Sequence, residues 1–277
     1  MKETELLDPK NGSFPCNHIS LEMNYPRSKG DVESFLWYLY HEGVEVMIGK
    51  NGEWYIVVKG KCKQLKGGKC LVAKRQPIQC LQHGDEPRSI KSISKFHFET
   101  ELEILLYIKE HRPALFKKLH AKTKKIAITG KAEPKPKKAN AKKVVLDPEH
   151  ECSSCDTCCT YLNIVADRPS DEDDVNELLW YINHKNCDIN HDEDGGWSIL
   201  FKAKCELLGQ NGLCSIYERR PTVCKTFSSN VCHGDDFQKS VKMGFPDEKS
   251  LLVYLSKKRP GLYKKLSPKM KKIGKTK

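Results

Sequence analysis

The densest group of chemically reactive side chains is the stretch ECSSCDTCCT, Glu151 to Thr160, which places four cysteines within eight residues. Thiols packed this closely can serve as a disulfide set, a metal site or a redox pair. With 277 residues the chain can bury one or two hydrophobic cores, so it does not need cross-links in order to fold. Thirteen cysteines, an odd number, also do not form a closed set of disulfides. Metal binding is therefore favoured, and thiol–disulfide exchange remains an alternative.

The compartment predicted from the sequence supports this preference. The start of the chain carries acidic residues and no apolar signal segment, and no later stretch has the roughly 18 apolar residues of a membrane-spanning helix. We therefore expect a cytoplasmic protein whose thiols stay reduced. In that compartment a cysteine cluster more often indicates metal binding or catalysis than a disulfide framework.

The spacing of the cluster limits the kinds of metal centre. The C-x2-C-x2-C run of Cys152, Cys155 and Cys158 can direct three thiolates to one centre, as in iron–sulfur proteins. A C-x2-C pair is equally a zinc half-site, so both zinc and iron stay open as the metal. Because the neighbours Cys158 and Cys159 rarely aim both sulfurs at one ion, the pattern favours two centres or one polynuclear centre.

Two segments of the chain align with each other, which predicts an internal duplication. Asp31 to Cys62 aligns without a gap with Asp174 to Cys205, and the segments that follow them match as well. We interpret residues 1–126 as a degenerate N-terminal copy and residues 147–277 as a complete second copy with a basic C-terminal helix. The Lys/Pro/Ala-rich residues 127–146 have too few apolar side chains to pack and are expected to form a linker.

The elements within each copy are expected to form a small α+β module. After RPSDEDD, apolar residues recur at helical spacing, with Ser170 and the aspartates as N-cap and acidic first turn. The alternating stretch Gly196 to Cys205 predicts a strand, and Asn211-Gly212 predicts a tight turn. A basic amphipathic C-terminal helix follows, in which Tyr254 and Tyr263 are more often core residues than base-stacking ones. The fold class is therefore α+β, with cysteines on loops held by metal and flanked by helices.

Comparison of the two copies separates the cysteines into sets. Four positions recur in both copies: Cys16, Cys62, Cys70 and Cys80 face Cys159, Cys205, Cys214 and Cys224. Four thiolates complete a tetrahedral site, so each of these sets is a candidate for one ion. The CxxCxxC cysteines have no counterpart in the first copy and need a further ligand. The candidates for that ligand are Cys187, Cys232 and His233. Arg219 and Arg220 are expected to offset the negative charge of such a centre.

The combination of CSSCDTCC, a remote Cys205 and CSIYERRPTVCKTF, residues 214–227, resembles the CxxCxxCC family of YkgJ-type cysteine-cluster proteins. That family is described as zinc- or iron-chelating. The resemblance implies metal ligation by seven residues: Cys152, Cys155, Cys158, Cys159, Cys205, Cys214 and Cys224. The first copy departs from the family pattern, with Ala73 facing Tyr217 and Gln76 facing Arg220.

Three functions follow from these patterns. The first is a cytoplasmic metal-binding protein whose zinc, iron or iron–sulfur centre is structural or a non-catalytic cluster. The second is an iron–sulfur component of a protein-modifying enzyme, because the cysteine domain resembles that of flagellin lysine-N-methylases. The third follows from the net charge of +12 and the clustered lysines, which predict attraction to an anionic partner such as a nucleic acid or an acidic protein.

Overall fold

A computed structural model describes residues 14–67, 69–72, 79–80, 93–130, 157–209, 212, 214–226, 241–268 and 271–272. Helices and antiparallel sheets are both present in these ranges, which confirms the predicted α+β class. We use "N-terminal half" for the described residues up to 130 and "C-terminal half" for those from 157 onward. No helix in the described ranges is long and apolar enough to cross a membrane.

The N-terminal half contains five helices and six strands in its described ranges. In chain order these are α1 (Phe14–Asn17), β1 (His18–Met23), α2 (Lys29–Leu39), β2 (Val44–Gly49), β3 (Trp54–Lys59), β4 (Leu65–Lys66), β5 (Lys69–Cys70), β6 (Ser94–Phe98), α3 (Glu101–His111), α4 (Pro113–Lys118) and α5 (Ala121–Thr129). Helix α5 continues past residue 127, where the sequence places the start of the linker, and Ala127 is buried.

The C-terminal half repeats much of this order. Its elements are a 3-10 helix (Thr157–Cys159), β7 (Leu162–Ala166), α6 (Glu172–Ile182), β8 (Cys187–Asp192), β9 (Trp197–Phe201), a second 3-10 helix (Tyr217–Arg219), α7 (Thr222–Thr226), β10 (Val241–Phe245), α8 (Glu248–Lys258) and α9 (Pro260–Lys265). The single basic C-terminal helix of the sequence analysis is thus two helices. The chain breaks at Arg259, because a proline disfavours helical geometry in the residue before it.

The two main sheets have the same strand order. The first runs β1-β3-β2-β6 and the second β7-β9-β8-β10, all antiparallel. The turn between the two central strands contains a left-handed glycine in each sheet, Gly52 with φ 100° and Gly195 with φ 94°, which a side chain would strain. Strands β4 and β5 form a separate hairpin.

Side-chain caps fix where the long helices begin. Ser28 and Asp31 form a capping box at the start of α2, and Asp171 caps α6 by accepting from the backbone of Asp173 and Asp174. Ser170, the other predicted cap residue, instead donates its hydroxyl and backbone N–H to Asp174 Oδ2, both at 2.7 Å. The predicted acidic helix start is therefore confirmed, with Asp171 as the N-cap.

Each hydrophobic core contains residues from both halves. One core surrounds the C-terminal sheet and includes Ile19, Ile56 and Val58 from the N-terminal half. Tyr254 and Tyr263 pack against this core, as predicted. The other core lies under α2 and α3 and takes in Ile216, with Cys205 and Cys214 packed against it. The hydrophobic effect therefore holds the halves together as well as each half singly.

Backbone hydrogen bonds between the halves come in matching pairs. The chain after α2 meets the segment before Cys205: Glu42 N–H donates to Lys204 O at 2.8 Å, and Glu206 N–H to Tyr40 O at 2.7 Å. The chain after α6 meets the segment around Cys62 in the same way. Lys185 N–H donates to Lys61 O at 2.9 Å, and Lys63 N–H to Asn183 O at 2.6 Å. Each half therefore holds the cysteine-bearing segment of the other.

Candidate metal centre

The turn that begins at Cys205 orients two thiols in the C-terminal half. Leu208 pairs with Cys214 in an antiparallel bridge, which brings the two ends of this turn together. The backbone N–H groups of Leu207 and Leu208 lie close enough to the Cys205 sulfur to lower its pKa, and that of Ile216 does the same at Cys214. Backbone donors aimed at sulfur favour the thiolate, which is the form that binds metal.

The 3-10 helix Thr157–Cys159 brings two further cysteines beside this turn. Cys205 N–H donates to Cys159 O at 2.6 Å, so the predicted ligands Cys159 and Cys205 are joined through their backbones. Cys158 precedes Cys159 in the same 3-10 helix, and both are half-buried. The structure therefore places Cys158 and Cys159 on one short element next to Cys205 and Cys214.

Helix α7 carries Cys224, and a side chain of the N-terminal half caps it. The backbone N–H and the hydroxyl of Thr222 both donate to Glu33 Oε2, at 3.2 Å and 2.6 Å. A carboxylate at this position satisfies helix donors that have no partner within the helix. Glu33 therefore ties α2 to the helix on which Cys224 lies.

Burial and nearby charge act in opposite directions on these thiols. Burial raises the pKa of Cys205 to about 11, and the neighbouring Cys214 adds to that rise. Burial also raises the pKa of Cys214, while the Ile216 N–H and the charges of Arg220 and Arg219 lower it. At neutral pH the metal-free thiols are protonated, so a metal that binds them displaces protons.

The two arginines beside Cys214 are held differently. Arg219 is buried, and its Nη1 donates to Glu101 Oε1 at 3.0 Å and to Tyr40 Oη at 3.3 Å, both in the N-terminal half. Arg220 lies over the Tyr217 ring, with its guanidinium carbon 3.6 Å from the ring centroid, and its Nε donates to Tyr217 O. Both cations are thus fixed near Cys214 by contacts that do not involve sulfur.

The four cysteines of the N-terminal half also lie near one another. Cys62 N–H donates to Cys16 O at 2.7 Å, and Cys70 pairs with Leu65 in the β4–β5 hairpin. After burial, the neighbouring thiols are a cause of the raised pKa of Cys62, about 11, and of Cys80, about 12. The structure therefore groups Cys16, Cys62, Cys70 and Cys80, the four residues that the alignment of the copies singled out.

Other predicted ligands lie elsewhere. Cys187 is the first residue of strand β8 and is 0 % exposed, within the core of the C-terminal sheet. Burial raises its pKa far above the usual value, and no other cysteine contributes to that rise. Cys187 therefore behaves as a small core side chain. Four other predicted ligands lie outside the described residues: Cys152, Cys155, Cys232 and His233.

In the described ranges, the group of potential metal ligands whose atoms lie close together contains no cysteine. Ligand atoms of Glu45, His97 and Glu99 lie within 4.8 Å of one another. His97 Nε2 lies 2.8 Å from Glu45 Oε2, and Lys59 forms an ion pair with the other Glu45 oxygen. Because these two groups already occupy the Glu45 carboxylate, we interpret the group as an ion-pair network.

A cavity of about 240 Å³ lies between the halves, lined in part by Lys59, Lys185 and Lys202. These cations would suit an anion, but Lys59 is paired with Glu45 and Lys202 with Asp188 at 2.7 Å. The cavity is therefore nearly neutralised by its own ion pairs.

Sequence analysis missed the partners that hold the site from the opposite half. Glu33, Tyr40 and Glu101 lie in α2, just after it, and in α3, more than a hundred residues before the side chains that they contact. The sequence predicts no role for any of them, because no periodicity or motif signals such a distant contact. Only the alignment of the two copies, which pairs Tyr40 with Asn183, could have drawn attention to one of them.

Comparison with known proteins gives one match. Residues 151–245 match the CxxCxxCC family model, described as "Putative zinc- or iron-chelating domain". Comparisons with curated proteins and with solved structures found no match. The match covers the C-terminal cysteine segment that the sequence resemblance identified, and it supports zinc or iron as the metal. The donor set fits such an ion, because half-buried thiols with backbone N–H donors are soft ligands suited to zinc or iron.

Proposed function

We propose that the C-terminal half binds zinc or iron as a structural or non-catalytic centre. Its ligands would come from the seven cysteines of the family pattern: Cys152, Cys155, Cys158, Cys159, Cys205, Cys214 and Cys224. The observation that carries this proposal is the turn from Cys205 to Cys214, which directs N–H donors to two sulfurs and lies next to Cys159.

A bound ion would cross-link segments that otherwise have few regular hydrogen bonds. The described cysteine segments between Phe201 and Val241 contain a bridge, a 3-10 turn and a five-residue helix. A structural zinc ion can contribute on the order of 10 kcal/mol to folding, which is large compared with the stability of a typical domain. The ion would therefore determine whether this segment is folded.

We further propose that the two halves arose by internal duplication and that the first is a degenerate copy. The shared strand order supports this proposal, as do the paired backbone hydrogen bonds between the halves. Duplication explains why the contacts recur with the roles of the halves exchanged, since two copies related by an approximate twofold axis contact each other through equivalent surfaces.

Metal content of the full chain tests the proposed site. Protein purified without oxygen is analysed for metal and sulfide and by absorption spectroscopy. Cys205→Ser and Cys214→Ser are each expected to lose the metal of the C-terminal half, because three thiolates hold the ion poorly. The matched control is Cys187→Ala, which removes a thiol buried in the core and should keep the full metal content.

The possible outcomes are distinct. Zinc alone indicates a mononuclear or small zinc site, whereas iron with sulfide indicates a cluster. A folded wild-type protein free of metal after anaerobic purification, and unable to take up zinc or ferrous iron, would overturn the proposal. If a serine variant fails to fold, zinc-dependent protection of Cys205 and Cys214 from alkylation in the wild-type protein answers the same question.

A further inference from the structure

The four cysteines of the N-terminal half lie on a backbone that matches the C-terminal site. Cys62 N–H donates to Cys16 O at 2.7 Å, as Cys205 N–H does to Cys159 O at 2.6 Å. Leu65 N–H donates to Cys62 O at 3.2 Å, as Leu208 N–H does to Cys205 O at 3.1 Å. These contacts define the same turn in both halves, although residues 14–130 lie outside the family match.

The sulfur of Cys62 receives the same kind of donors as that of Cys205. Backbone N–H groups of Gln64 and Leu65 lie close enough to the Cys62 sulfur to lower its pKa, at the positions that correspond to Leu207 and Leu208. Such donors orient a sulfur and stabilise its negative charge before any metal arrives. The first copy therefore retains the feature that carries the proposal for the second.

The thiols of this group lie close enough to affect one another electrostatically. After burial, Cys16 and Cys70 raise the pKa of Cys62, and Cys16, Cys62 and Cys70 raise that of Cys80. Among the described residues, no arginine or lysine contributes to the shift of the pKa of Cys62 or Cys80. Four half-buried thiols this close together form a site that a soft dication would stabilise.

We propose that the N-terminal half holds its own zinc ion in a four-thiolate site formed by Cys16, Cys62, Cys70 and Cys80. Zinc is favoured because it takes four thiolates in tetrahedral geometry and needs no additional ligand. The CxxCxxC run of the C-terminal half is not required for such a site.

Zinc binding would draw the four side chains inward. No three cysteine sulfurs in the described ranges lie within 4.8 Å of one another. Sulfurs around a tetrahedral zinc ion stand about 3.8 Å apart, given the usual zinc–sulfur distance of about 2.3 Å. Cys80 packs against the core of the C-terminal sheet, so the ion would also fix the first half against the second.

This site is independent of the proposed function, because it shares no ligand with the C-terminal centre. The experiment uses the full chain, stripped of metal under reducing conditions and titrated with Co²⁺ and then Zn²⁺. Thiolate-to-cobalt charge transfer and tetrahedral d–d absorption report each bound ion. Wild-type protein is compared with Cys62→Ser, with the matched Cys205→Ser and with the core control Cys187→Ala.

Cys62→Ser is expected to lose about one equivalent of tetrahedral cobalt while keeping the signal that Cys205→Ser removes, and Cys187→Ala should match the wild type. If only Cys205→Ser loses tetrahedral cobalt, this inference is overturned and the proposed function stands. If only Cys62→Ser loses it, the proposed function is overturned and this inference stands.

Alkylation of the wild-type protein provides a second test that does not depend on a variant folding. Zinc should slow the reaction of Cys16, Cys62, Cys70 and Cys80 with iodoacetamide, as mapped by peptide mass spectrometry. Equal rates with and without zinc at these four residues would overturn the inference.

Discussion

The cysteine turns of the two halves are held by the same backbone contacts but surrounded by different side chains. In the C-terminal half, Arg219 and Arg220 lower the pKa of Cys214 against the effect of burial. In the described part of the N-terminal half, the charges that act on Cys62 and Cys80 are those of other thiols, which raise the pKa further. The backbone contacts around the sulfurs are thus alike in the two halves, while the charged neighbours affect how easily the thiols ionise. We therefore expect metal uptake by the first half to depend more steeply on pH than uptake by the second.

The largest effect should come from the buried ion pair between Arg219 and Glu101, which joins the two halves. Arg219 and Glu101 side chains are 4 % and 10 % exposed, and their atoms lie 3.0 Å apart. Arg219→Met removes the buried cation that faces the Glu101 carboxylate while the Tyr40 hydroxyl still donates to it, so we expect a loss of about 4 kcal/mol in the free energy of unfolding. Urea denaturation at neutral pH measures it.

The matched control for this change is Asn183→Ala. Asn183 corresponds to Tyr40 and donates from Nδ2 to Glu248 Oε1 at 2.8 Å in the C-terminal half. Removal of this uncharged donor should cost less, about 1–3 kcal/mol. Equal losses in the two variants would show that the buried ion pair contributes no more than the neutral hydrogen bond.

Core truncations should lower the free energy of unfolding by the same amount in both halves. Leu105 in α3 and Leu252 in α8 occupy corresponding positions, and both are 0 % exposed. Replacing either with alanine removes buried methyl groups and leaves a cavity, so we expect about 3 kcal/mol in each case. Thermal and urea unfolding compare the two variants. A much smaller loss for one of them would mean that its half packs less tightly or unfolds separately.

Helix caps offer a smaller and more local comparison. Ser28→Ala removes the side-chain acceptor at the start of α2, and Asp171→Ala removes the one at the start of α6. Each should cost about 1 kcal/mol, with the aspartate the larger because its charge also interacts with the helix dipole. Chemical denaturation of both variants, with Asp171→Asn to isolate the charge, separates the two contributions. The reverse order would contradict the dipole argument.

The smallest effect concerns the ion pair of Glu45 with Lys59, whose counterpart in the C-terminal half is the pair of Asp188 with Lys202. Burial opposes ionisation of Glu45, but the hydrogen bonds and charges of Lys59 and His97 outweigh it and lower its pKa below the ordinary 4.5. A lowered pKa stabilises the folded state above pH 4.5, and that stability is lost as the pH falls below it. Glu99 also faces His97, with 3.7 Å between Oε1 and Nδ1.

Stability measured between pH 6 and pH 3 should therefore fall less steeply in Glu45→Gln than in wild-type protein. The exposed carboxyl of Glu110 provides the control, and Glu110→Gln should keep the wild-type slope. An unchanged slope in Glu45→Gln would show that the network adds nothing to the pH dependence.

Local features of the fold could be predicted because they leave periodic traces in the sequence. The alternation in Trp197–Phe201 marked a strand, and the aspartates before Val175 marked the start of a helix. The break at Arg259 also had a signal, since Pro260 follows it, but the helical pattern of leucines continued across the break. Leu262 is buried beyond the break as if the helix had continued.

The candidate site could be predicted only in its ligands. Cysteine spacing identified the thiols, because metal coordination restricts residue type and separation. The residues that hold the site are specified by tertiary contacts: Glu33 reaches Thr222 and Glu101 reaches Arg219 across most of the chain. Such pairs neutralise buried charges and provide acceptors for the N–H groups at helix ends. Neither need restricts how far apart in the sequence the two partners lie.

The exchange of backbone contacts between the halves has a consequence for synthesis of the chain. Cys62 pairs with His184, about 120 residues further along, so this contact cannot form until most of the protein has been made. At typical elongation rates of 5–20 residues per second, His184 is synthesised on the order of ten seconds after Cys62. During that interval the N-terminal thiols are open to oxidants and to metal ions alike, and early capture of an ion would protect them until the second half emerges.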